Sequence, residues 1–99
     1  LDASCSLILS NPEVYMESNK ENLGTVQGRL DVLRKGIVSE ENSVSYYQTL
    51  VNKTPEDSDV KKGMRRMYHD LMQEEKKHVT RFRELISQWE QKLKDLENN

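Results

Sequence analysis

The chain has one cysteine, two prolines, four glycines, 6% aromatic residues and a net charge of only −2. Each scarcity excludes something. A lone Cys5 forbids an intrachain disulfide and any Cys-x-x-Cys zinc or iron–sulfur motif, and it fits a reducing compartment, with the cytoplasm as the expected location. No apolar run approaches the roughly 20 residues of a membrane span, and Leu7-Ile8-Leu9 is too short for a signal-peptide core. A balance near neutrality lacks the positive excess of a nucleic-acid binder. The local group Lys61, Lys62, Arg65 and Arg66 reads as the solvated face of an amphipathic helix rather than a phosphate site.

What is present is helical punctuation around long polar stretches. Ninety-nine residues, 34% hydrophobic and 32% charged, make one small domain with a thin apolar seam, so partner chains are expected. Residues 1–24 read as an N-terminal segment, disordered or in part foreign to the natural chain. Met16 would suit a natural start, a point that intact-mass analysis of the native protein decides. Residues 25–99 read as a helical hairpin.

From Leu30 the apolar positions run Leu30, Leu33, Ile37, Val44, Tyr47, Leu50 and Val51, with Glu40 falling in phase where the series is interrupted. This spacing predicts a first helix over about Thr25 to Asn52, weakened by Gly28 and Gly36 at about 1 kcal/mol each relative to Ala. Gly36, one turn before Glu40, either admits a close neighbour, leaves room for a ligand, or is simply an exposed glycine. The stretch from Asn52 to Asp59 collects turn and capping residues. It offers two starts for a second helix: Thr54 with Pro55, or Asp57 or Ser58 as the cap.

The second helix has the clearest pattern: Val60, Met64, Met67, Leu71, Glu75, His78, Phe82, Leu85, Trp89, Leu93 and Leu96 step by three or four, to about Glu97. It is longer than the first, so Trp89, Leu93 and Leu96 should overhang and need cover, from Val14, Tyr15 and Met16 or from another subunit. A short connection makes the two helices antiparallel neighbours.

Only Glu75 and His78 are polar on that stripe. At i and i+3 they project side by side, about 4.5 Å apart along the axis, within reach of one metal ion. Glu-x-x-His is common by chance; its phase, with Glu40 on the facing stripe, makes it specific. One hairpin supplies too few ligands. Two hairpins about a two-fold axis give four glutamates and two histidines, and four carboxylates balance two divalent cations. Glu40, Glu75 and His78 are therefore candidate metal ligands and catalytic residues. Iron or manganese suits such a mixed set, and zinc can occupy it. Tyr47 is a candidate to hydrogen-bond a ligand carboxylate, or simply a core residue. Glu41 and Glu74, beside the stripes, are rival ligands. Counted from the turn, Glu40 lies about 19 Å back and the Glu75–His78 pair about 28 Å forward, so a tight hairpin would miss. A second helix beginning near Ser58 narrows the gap.

The stretch Glu40-Glu41-Asn42-Ser43-Val44-Ser45-Tyr46-Tyr47, followed by Asp59-Val60-Lys61 and Glu74-Glu75-Lys76-Lys77-His78, resembles the first half of rubrerythrin-type ferritin-like proteins. It is most similar to the encapsulated ferritins, which carry one such helical pair per chain. The resemblance spans about residues 30–90. It implies an all-α antiparallel hairpin that dimerises into a four-helix bundle, with Glu40, Glu75 and His78 as iron ligands and Tyr47 beside them. It further implies dimers or larger rings, a di-iron site between subunits, ferroxidation of Fe(II), and an encapsulin-like shell forming a protein nanocompartment. The second Glu-x-x-His half and the rubredoxin cysteines of a complete rubrerythrin are missing, and Leu96-Glu97-Asn98-Asn99 shows no encapsulin-targeting tail. The expected function is a di-iron ferroxidase. Its rivals are a rubrerythrin-like peroxide reductase and a non-enzymatic helical interaction module whose buried polar residues set register.

Overall fold

The computed structural model describes residues 20–98, and within them the chain forms two helices and no strand: α1, Leu23–Lys53, and α2, Asp59–Glu97. The expected N-terminal cover, Val14, Tyr15 and Met16, lies outside the described residues, as does Cys5. No helix among the described residues is long and apolar enough to cross a membrane.

Side-chain caps set both starts. Asn22 Oδ1 accepts from the Thr25 N–H at 3.0 Å, and Thr25 Oγ1 accepts from the Asn22 N–H at 2.9 Å. This reciprocal pair satisfies two donors that a helix start leaves open. It begins α1 at Leu23, two residues before the expected Thr25. For α2 the cap is Ser58, whose Oγ accepts from the Lys61 N–H at 3.2 Å. Of the two starts the sequence offered, the later is the one used. At the end of α1, Thr54 Oγ1 donates to the Leu50 carbonyl at 2.7 Å and closes the last turn.

The pair of helices divides into two compact units. One combines α1 up to Ile37 with α2 from Arg81. Its core is Val26, Leu30, Leu33, Phe82, Leu85 and Trp89, all buried, with Ile37, Ile86, Leu93 and Leu96 packed against it. Trp89, expected to overhang, is thus a core residue, because α1 starts early enough to bring Val26 into the same cluster. Arg29 lies 4.8 Å from the Trp89 ring centroid, a cation–π placement that covers its face. The same guanidinium donates to Glu21 at 2.8 Å, and together with the Thr25 hydroxyl it holds the Glu21 carboxyl below its usual range. Gly36 proves to be a close-approach site. A β-carbon there would fall 2.6 Å from Phe82 Cε1.

The other unit is Val38–Thr80. Its buried residues are Glu40, Val51, Met72, Glu75 and Val79. Here the expected stripe fails in part. Val60, Met64 and Met67 are 73%, 44% and 55% exposed, while Met72 and Val79, off the stripe, are buried. The reason is a difference of period. The apolar series along α2 steps at the 3.6 of a straight helix. The inward series Arg65, Tyr68, Met72, Glu75, Val79, Phe82, Ile86, Trp89, Leu93 and Leu96, each buried or half-buried, alternates three and four. An average of 3.5 is the apolar repeat typical of helices that pack side by side. The two series coincide toward the end of α2 and part toward its start.

Candidate metal centre

Glu40 is on α1, and Glu75 and His78 are on α2, all within the Val38–Thr80 unit. The register that looked unfavourable closes because α2 begins at Asp59, after a five-residue connection. Glu40 is 13 residues before the end of α1, and Glu75 is 16 after the start of α2. The connection takes up the difference, as a start near Ser58 was expected to allow.

One ligand atom from each of Glu40, Glu75 and His78 falls within 4.8 Å of the others. His78 Nδ1 stands 3.7 Å from Glu40 Oε2 and 3.9 Å from Glu75 Oε2. These separations are long for hydrogen bonds. They suit two donors of one ion, since metal–ligand bonds of about 2.1 Å place a pair of donors roughly 3–4.2 Å apart. Glu40 is 7% and Glu75 3% exposed, whereas His78 keeps an edge toward solvent.

Glu75 carries the tension in the site. Its Oε2 is a buried side-chain oxygen with no hydrogen-bond partner, and such atoms are rare because each costs on the order of 1–3 kcal/mol. Burial first, then a hydrogen bond to Glu40 and the negative charge of Glu40, push the Glu75 carboxyl up to about 7. Met72 and Val79, one turn to either side of it on α2, are buried as well. Neither was expected there, and reading α2 in heptads rather than as a straight stripe would have found both.

The other named residues separate cleanly. Glu41 is exposed, and Glu74 is exposed and pairs with Lys77 at 3.1 Å, so neither rival joins the cluster. Tyr47 is half-buried, with its ring edge-on to the exposed Tyr46 at 5.4 Å between centroids.

Chemically, the set offers two carboxyl groups and an imidazole at one point. It can neutralise one divalent cation and leaves coordination positions open, the condition under which a bound metal still accepts another ligand. Iron, manganese and zinc all accept such donors. Comparison with protein-family models, curated proteins and solved structures yields no match to this chain.

Proposed function

We propose that the chain oxidises ferrous iron at a site completed by a second copy of itself, as a ferritin-like half bundle of rubrerythrin type. The observation that carries this reading is the Glu40, Glu75 and His78 cluster, with both carboxylates buried and an orphaned carboxylate oxygen aimed into it. A divalent cation there would replace the missing partner of Glu75 Oε2 and offset both negative charges.

A second copy is supported by the exposed apolar series. Val60, Met64 and Met67 continue the straight-helix phase of Leu71, Glu75 and His78, so a helical pair seated on that face would meet the open side of the ligands. Two copies bring four carboxylates and two imidazoles to two ferrous ions. In the proposed reaction each Fe(II) gives up one electron. Dioxygen takes both with two protons and departs as hydrogen peroxide, leaving two Fe(III) for release. Carboxylates suit both oxidation states because they shift between one- and two-oxygen binding, and His78 adds a ligand without adding charge. Tyr47 is placed in this reading beside a ligand carboxylate, steadying it. Rings of dimers, an enclosing shell and a cytoplasmic nanocompartment follow from the same resemblance. Manganese or zinc would compete for the donors without ferrous chemistry.

One observation favours the second reading, a non-enzymatic helical interaction module. Burial, joined by a hydrogen bond between Glu40 and Glu75, pushes the Glu75 carboxyl up to about 7, so the carboxylates can satisfy each other in part without an ion. Ferrous titration separates the two. Wild type should take up iron and oxidise it in air well above buffer, and Glu75→Ala with His78→Ala should fall to the buffer rate. A wild type that binds no iron and oxidises none returns the chain to the interaction reading.

A further inference from the structure

We propose that the connection and first turns of α2 form a binding site for a phosphate-type oxyanion, separate from the metal cluster. The basic group Lys61, Lys62, Arg65 and Arg66 was expected to be a solvated face. Only half of it is compensated. Lys61 pairs with Asp57 at 3.6 Å, and Arg65 pairs with Glu56 at 3.3 Å while donating to the Thr54 carbonyl at 3.4 Å. The side chains of Lys62 and Arg66 have no hydrogen-bond or ion-pair partner among the described residues.

Both side chains are exposed at the rim of a half-open pocket. They line a cavity of about 240 Å³ together with Arg65, His69, Glu56 and Asp70. With His69 neutral the lining carries one net positive charge, against −2 for the whole chain. Lys62, Arg66 and His69 stand at i, i+4 and i+7, on one face of successive turns; the His69 ring also has Asp70 Oδ1 3.7 Å from Nδ1 and Gln73 Nε2 3.5 Å from Nε2.

Three donor groups at different heights match a tetrahedral oxyanion better than a planar carboxylate, which presents two oxygens. A guanidinium fork can hold two phosphate oxygens and an ammonium a third. The Arg65–Glu56 pair forms the wall, fixing the connection against α2 without competing for the ligand. Inorganic phosphate and the phosphate group of a small ester share this chemistry.

The test uses the full chain, freed of metal with a chelator so that iron cannot bind the phosphate. Inorganic phosphate and glycerol phosphate are titrated separately at constant ionic strength, with chloride as the control, following the NMR signals of Lys62, Arg66 and His69 and the heat of binding. Saturable shifts at these three residues with either anion are expected, and the tighter of the two identifies the source. Lys62→Gln with Arg66→Gln should weaken binding at least tenfold, and Arg66→Lys should retain part of it. Both residues are exposed, so helical content should be unchanged. Shifts no larger than those from chloride, or equal affinity in the double variant, would overturn the proposal.

Discussion

At the scale of single residues, Glu75 sets the behaviour of the metal-free protein. Its carboxyl is held up to about 7 against an ordinary value of 4.5, so between those limits the folded chain binds a proton that the unfolded chain has released. Stability therefore declines as pH rises through this window, by a total on the order of a few kcal/mol, and levels off above it. Glu21 acts in the opposite sense and elsewhere. Its lowered carboxyl contributes stability that is lost only below about pH 4.5. Thermal melts of chelated protein from pH 5 to 8 should show a falling Tm, and Glu75→Gln should flatten the slope. Metal reverses the effect, because binding displaces the shared proton, so affinity should rise over the same range. A Tm of chelated wild type that is level or rising from pH 5 to 7 would contradict this assignment.

The three site residues were legible because polarity on an apolar stripe is conspicuous: Glu40, Glu75 and His78 each break a hydrophobic series in phase. Met72 and Val79 were not, because a straight-helix reading places them beside the stripe, whereas the buried positions of α2 alternate three and four. The exposure of Val60, Met64 and Met67 has the same origin.

At the scale of elements, both helices could be read nearly to their ends, while the choice between two caps decided the register. Ser58 starts α2 late enough for Glu40 to meet His78. Ser58→Ala should cost about 1 kcal/mol and should weaken metal binding if the start shifts, which urea melts and a metal titration would separate. Glycines give a sharper contrast. A methyl group added at Gly28 would meet nothing within 4 Å, whereas one at Gly36 would meet the buried Phe82 ring. Gly28→Ala should stabilise by up to about 1 kcal/mol through helix propensity. Gly36→Ala should lose that gain and more, a net cost of roughly 1–3 kcal/mol, because a 2%-exposed ring has little room to move. Equal stabilisation in both variants would show that Phe82 yields freely.

At the scale of the whole molecule, the chain's small apolar seam and its surface stripe are two sides of one problem. The unit built on Val26, Leu30 and Trp89 buries these residues, with Leu93 and Leu96 half-buried against them. The unit that holds the candidate metal cluster buries little besides Glu40, Glu75, Val51, Met72 and Val79, and leaves Met64 and Met67 outside. Composition signalled the shortage but could not say where it fell, since that depends on how α1 is shared along the longer α2. Sedimentation of metal-loaded wild type should give a dimer or larger, and Met64→Glu with Met67→Glu should remain helical but monomeric. A wild type that stays monomeric when loaded with iron would remove the second copy from the account.

The most direct measurement is anomalous diffraction at the iron edge from crystals grown with ferrous salt. The account predicts a peak about 2.1 Å from carboxylate oxygens of Glu40 and Glu75 and from His78 Nδ1, repeated by a two-fold axis so that two chains enclose two ions. Iron confined to exposed carboxylates, with the Glu40, Glu75 and His78 cluster empty at saturating metal, would contradict it.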